Sequence, residues 1–115
     1  MGVHVESGDV ARLAFDLGTA PARVQAPAAA AVDDYVDHTE RDAQALAPVF
    51  TGRLKAGIHG RRAGLLGEVV SDEPYSEYVE DGTSDTAPQP FMGPAHERNI
   101  FRAENGLGDA GEGIL

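Results

Sequence analysis

The stretch RLKAGIHGRRAGLLGEVVSD, residues 53–72, decides the fold. Upstream of it, apolar residues recur every three or four positions; within it they alternate. Leu54, Ala56 and Ile58 interleave with Arg53, Lys55 and Gly57, the period of a strand with one buried face. The second half brings the β-branched pair Val69 and Val70 and closes on the turn residues Ser71 and Asp72. With GRRAG (residues 60–64) between the two runs, the segment reads as an antiparallel hairpin over 53–72.

Working outward, the longest feature is a helix from Ala22 to Ala47. Ala28, Ala31, Val32, Tyr35, Val36, Ala43, Leu46 and Ala47 fall on its inner face, and Asp33, Asp34, Asp37, Glu40, Arg41 and Asp42 on its outer face. That is an amphipathic helix with an acidic exterior. Pro27 lies near its start and Pro48 stops it. Before it, Val3–Val5 suit a short strand. Ser7 and Asp9 can cap a short helix that carries Val10, Leu13, Ala14 and Leu17 on one face and ends at Gly18. After the hairpin, Tyr75–Asp81 suits a short helix stopped by Gly82, residues 84–90 form a loop, and Pro94 opens a last helix to about Glu104. The fold class is therefore α+β: a long N-terminal helix packed on a small antiparallel sheet. One domain covers residues 1–105, and residues 106–115 form a flexible, glycine-rich tail.

Composition limits what such a domain can do. Of the 115 residues, 18 are alanine and only 30 are larger hydrophobics. A core this thin calls for close helix packing through small side chains and for further burial in an oligomer. Nineteen acids face nine bases, for a net charge of −10, which opposes gripping nucleic acid and favours repulsion from it. The absence of cysteine excludes disulfides and thiolate metal sites and fits a reducing compartment. The opening residues lack a basic flank or signal-like apolar run, and no window approaches the ~18 apolar residues of a membrane helix; no membrane partner is expected.

Chemistry is sparse. The four histidines fall on separate elements without HExxH spacing. Asp34, His38 and Asp42, stacked at i, i+4 and i+8, are the best metal candidate; read plainly, they are a solvated acidic face. Gly57, Gly60, Gly64 and Gly67 lack a phosphate-loop lysine and read as turn and strand glycines. There is no nucleophile elbow. No catalytic residue, metal or cofactor is assigned. Charge is segregated instead: four bases and no acid between Ala43 and Gly67 (Arg53, Lys55, Arg61, Arg62), then seven acids and no base between Glu68 and Asp85, Glu77, Glu80 and Asp81 among them. Two unlike faces on one subunit can join head to tail, and a head-to-tail contact that closes makes a ring.

The order of motifs carries a resemblance. Pro48 ends an alanine-rich helix; Thr51-Gly52-Arg53-Leu54 follows, then the hairpin, then Tyr75, Tyr78-Val79-Glu80-Asp81-Gly82-Thr83, then Gln89-Pro90-Phe91-Met92-Gly93-Pro94-Ala95 before a terminal helix. Over about residues 20–103 this resembles the tail-completion (neck, or head–tail joining) proteins of long-tailed bacteriophages, with Asp81 standing where their pattern has an aromatic residue. The resemblance implies a non-enzymatic structural virion protein. It would form a homo-oligomeric ring, commonly a hexamer, between head-connector and tail-tube or tail-terminator proteins. DNA would pass through without specific binding. It implies location in the virion neck or tail, with assembly in the host cytoplasm. A tail terminator, a head-connector subunit and a small metal-dependent hydrolase are the alternatives.

Residues follow from that reading. Arg53, Lys55, Arg61, Arg62, Glu77, Glu80, Asp81, Asp85, Phe91 and Met92 are the candidate interface, and Asp33, Asp34, Asp37 and Glu40 the candidate lining of the channel. Thr51, Gly52, Leu54, Tyr75, Tyr78, Glu80, Gly82, Thr83, Pro90, Phe91 and Pro94 are the structural motif. Pro90 and Pro94 restrict the loop and lower the entropy lost on docking. Phe91 either joins that surface or folds into its own core, and Tyr75, Tyr78 and Val79 are expected to pack inward.

Overall fold

A computed structural model describes residues 2–15, 22–48 and 52–112. The elements run β1 (Gly2–Glu6), β2 (Val10–Phe15), α1 (Ala22–Leu46), α2 (Arg53–Ala56), β3 (Ile58–Ala63), β4 (Leu66–Ser71), α3 (Ser76–Asp81) and α4 (Met92–Glu112). The fold is α+β, as expected: one four-stranded antiparallel sheet in the order β1-β2-β4-β3, covered on one face by α1 and α4.

The N-terminal segment corrects the expected helix after Asp9. Val10–Phe15 is a strand, and it lies inside the sheet between β1 and β4. Val10, Leu13 and Ala14 fit a helical stripe, but Ala11, Leu13 and Phe15 fit period two equally well, and these are the buried ones. A short apolar run satisfies both templates, and two strand partners settle it. Ser7 turns the chain into β2, its amide donating to the Val10 carbonyl at 2.8 Å and its hydroxyl to Asp9 Oδ1 at 2.8 Å. The expected helix end at Leu17 and Gly18 lies outside the described residues.

The hairpin is real but starts later. Arg53–Ala56 is one helical turn entered through Gly52, whose φ of 83° is left-handed, and pairing begins at Ile58. Leu54 and Ile58 are both buried, four residues apart, while Ala56 between them is exposed. That is the spacing of a helical turn, not of a strand. The connection is the two residues Gly64 and Leu65, so Arg61–Ala63 belong to β3 rather than to the turn.

Helix α1 runs over the strands at close range. A Cβ on Gly60 or Gly67 would lie 2.4 or 2.5 Å from a Val36 methyl, so the absence of a side chain at both positions is what lets α1 settle on the hairpin. Tyr35, Val32, Val36, Leu13, Leu54, Ile58, Val69, Phe91 and Met92 form the core. Ala28, Ala43, Ala47, Ala95 and Ala103 are also buried, the small-residue packing anticipated from composition. Pro27 sits inside α1 rather than opening it. Helix α4 also departs from expectation: it begins at Met92 rather than Pro94 and its backbone is helical to Glu112, taking in residues 106–112 of the expected tail; residues 113–115 lie outside the described residues. Among the described residues no helix is long and apolar enough to cross a membrane.

Candidate interaction surface

Glu80 organises the side of the molecule where the sequence placed its interface. It is buried in the last turn of α3, and its carboxylate accepts from the amides of Phe91 and Met92 on Oε1 (3.0 and 2.8 Å) and of Gly93 on Oε2 (2.9 Å). Those are free N–H groups at the start of α4, where a negative charge is stabilising. One side chain thus fixes where the loop after α3 ends and the last helix begins. It is an internal tie, which corrects its assignment to the interface. Phe91 and Met92 are corrected likewise: both are fully buried, because the Glu80 tie turns them under α1 and the sheet.

Between the two ends of the tie the loop stands outward, residues 83–90 all exposed. Gly82 leaves α3 at a φ of 78°, its amide donating to the Tyr78 carbonyl at 2.8 Å. The Thr83 amide donates to the Thr86 carbonyl at 2.8 Å, and the Thr83 hydroxyl accepts from the amides of Asp85 and Thr86. The Gln89 amide returns to the Val79 carbonyl at 2.8 Å. Pro88 and Pro90 restrict the rest. Behind the loop lies an apolar cleft of about 120 Å³ walled by Tyr75, Tyr78, Val79, Thr86 and Ala87. Tyr75 and Val79 pack on the core as expected, but Tyr78 does not: it is 64% exposed. Glu77 and Asp81 on α3 and Asp85 in the loop are exposed, with Glu77 against Gly8 and Asp81 close enough to act on Glu6.

The bases do not form a free positive face. Arg62 reaches Asp37 at 2.6 Å and Asp33 at 3.2 Å across the α1–β3 contact. Arg61 and Arg12 converge on the largely buried Glu68, at 3.4 and 2.7 Å. The Arg12 guanidinium, hydrogen-bonded to it, holds the Glu68 carboxyl below the usual range against the opposing effect of burial. Arg53 lies 3.5 Å from Glu73, and Lys55 is exposed on the helical turn. Charges segregated along the sequence therefore interleave in space.

The candidate channel face is also engaged. Asp33 and Asp37 hold Arg62, Asp34 lies 3.5 Å from Arg102 and 3.1 Å from His38, and Glu40 accepts from the Gly60 amide. Asp42 turns to Asn99 and Arg98, so it does not join the Asp34–His38 pair. Among the described residues no three His, Asp or Glu side chains are placed to share a metal ion. Of the structural motif, Leu54 is core, Gly52 and Gly82 take positive φ, and Thr51 lies outside the described residues.

Sequence reading missed three features. Glu6 lies against Gly93 beside Glu80, and burial, then Glu80, Asp81 and Glu97, push its carboxyl up. The Tyr35 hydroxyl and His96 Nδ1 share a hydrogen bond of 2.5 Å inside the helix pair, and burial, aided by His4, holds His96 down at about 4. Phe101 on α4 is 70% exposed. Only the last left a signal: it falls out of step with the buried Ala95, Asn99 and Ala103.

The profile of one protein family, described as "Bacteriophage HK97-gp10, putative tail-component", matches residues 11–82, well over half of the chain. The match takes in β2 through α3 and stops before the outward loop and α4. No curated protein sequence matches the chain, and no solved structure does.

Proposed function

The chain belongs to the HK97-gp10-like family of bacteriophage tail components, and from that membership we propose that it is a ring-forming subunit of the phage neck. It completes the tail, joins it to the head connector and leaves a channel for DNA. The observation that carries this reading is the outward loop of residues 83–90. It is anchored at its base by Glu80, stiffened by Pro88 and Pro90, carries Asp85, and lies beside the exposed Tyr78. A stiff, exposed loop on a rigid base suits docking, since little disorder is lost on binding.

In this reading the subunits form a homo-oligomer, a hexamer by the pattern of the resemblance, between head-connector and tail-tube or tail-terminator proteins, assembled in the host cytoplasm and retained in the virion. The acids of α3 and the loop form the negative side of the contacts, and Lys55 lies exposed on the helical turn. DNA is kept from adhering by the ring's summed negative charge, −10 per subunit. Asp33, Asp34, Asp37 and Glu40 contribute to that field as a lining already partly neutralised by Arg62 and Arg102.

The test is a phage from which this chain is deleted. The expected outcome is filled heads and separate tails in micrographs of the lysate, with joining restored when the chain is supplied in trans. Normal virions from the deletion strain would end the proposal.

A further inference from the structure

The sheet has two edges, β1 and β3, and they are finished differently. In β3, Gly57 and the alternate residues after it face β4, so Ile58, Gly60 and Arg62 turn their main-chain groups outward. Helix α1 covers that edge. Gln44 donates to the Ile58 carbonyl at 3.0 Å, Glu40 accepts from the Gly60 amide, and the Arg62 side chain is held by Asp37 and Asp33. In β1 the bond from the Ser7 amide to Val10 sets the alternation: Val3 and Val5 face β2, and Gly2, His4 and Glu6 turn outward. Among the described residues no strand lies on that side. His4, Val5 and Glu6 are all exposed, and the register runs from Gly2 to Glu6 without a bulge. Neither proline nor lysine blunts this edge. A regular, exposed edge is a template for one more strand.

Charge selects the strand that fits. The Glu6 side chain lies on the helix side of the sheet, against Gly93, and burial, then Glu80, Asp81 and Glu97, push its carboxyl up. Glu80 is engaged by three amides of the chain's own turn into α4, which leaves the exposed Glu6, Asp81 and Glu97 around the end of the open edge. In an added strand, the residue opposite Glu6 has its side chain on the same face as these acids, where lysine or arginine is favoured and an acid is repelled. The next residue along falls opposite Val5, 45% exposed on the other face, where an apolar side chain fits. A second copy of this chain has no such strand to offer. Arg12 lies in β2 between two strands, Arg61 and Arg62 lie in the covered β3, the other bases are on helices, and β1 carries none.

We infer that the β1 edge takes an extended, basic segment of a different virion protein, which pairs with Gly2–Glu6 and sets a lysine or arginine against Glu6, Asp81 and Glu97. The inference rests on the neck reading above and adds a contact with a neighbouring protein. Main-chain hydrogen bonds supply affinity, and the acids fix the register and reject acidic strands.

The test uses the deletion phage supplied in trans with the full chain, Val5 being replaced by photoreactive benzoylphenylalanine. Irradiated particles are expected to yield an adduct to another virion protein, beside a lysine or arginine. With the protein so identified, exchange of the Glu6 amide with solvent is expected to slow in the complex. Glu6→Lys/Glu97→Lys is expected to raise Kd about tenfold or more, with recovery when the partner's base is changed to glutamate. Both acids are exposed, so circular dichroism of the double variant is expected to match the native chain. An adduct to a second copy, or none in particles that contain the chain, overturns this contact and leaves the neck reading standing. A complex whose Kd or Glu6 exchange is unchanged overturns it as well. An adduct to a protein outside the neck, in a phage that joins heads to tails without this chain, keeps the contact and overturns the neck reading. A chain absent from the particles overturns both.

Discussion

Glu80 is the residue on which the described side of the molecule turns. Three backbone amides converge on its two oxygens, and all three belong to the first residues of α4 or the one before it. Glu80→Gln removes the charge and turns an amide donor toward N–H groups that need an acceptor. The expected loss is on the order of 2 kcal/mol, read as a lower urea midpoint with unchanged slope; an unchanged midpoint would show that α4 starts as well without the tie. Sequence named Glu80 both for the structural motif and for docking, and the three amides it binds tie it within the fold. The adjacent Asp81, one position on, is the exposed acid. Nothing in single-letter order distinguishes two neighbouring carboxylates, one aimed at a helix end and one at water.

At the scale of elements, the joint between α1 and the hairpin depends on two missing side chains. At Gly67 an added Cβ would stand 2.5 Å from Val36 Cγ2 and 2.7 Å from Val32 Cγ1, both on β-branched residues that cannot swing aside. Gly67→Ala is expected to cost about 1–3 kcal/mol, seen as a lower thermal midpoint, and Val36→Ala in the same chain to return part of it. Helix α1 was legible because twenty-five residues with one apolar stripe leave no rival reading. The hairpin was legible because alternation and β-branching agree. β2 was not: six residues fit two periods, and the choice is made by β1 and β4, distant in sequence or weak in signal. The reach of α4 was hidden by glycines at 106, 108 and 111, poor helix formers whose sum argues for a tail.

For the whole molecule, acid is the informative stress. His96 is neutral in the fold down to about 4, so the unfolded chain takes up a proton first as pH falls below about 6.5. Stability present at neutral pH is therefore lost between about 6.5 and 4, by up to about 3 kcal/mol. Glu68, held low by Arg12, adds a loss as pH falls below its ordinary 4.5. Glu6 acts the other way: its raised carboxyl makes the fold gain on protonation, offsetting part of the His96 loss above 4.5. The expected result is a thermal midpoint that declines from pH 6.5 to 5, with the His96 ring signal in NMR titrating below pH 5. A midpoint flat across that range would mean His96 is accessible in the fold. The candidate surface was half legible: its acids and its stiff loop were visible in sequence, whereas pairing of arginines with acids up to 68 positions away was not.

Because Glu80 grips the chain again eleven positions on, the intervening excursion is an appendage moored at its root. Doubling the length of such a closed span costs only about 0.6 kcal/mol in chain entropy. Its tip can therefore be rewritten, lengthened or exchanged while the trunk stays as it is, giving one scaffold a way to be retargeted from partner to partner without being rebuilt.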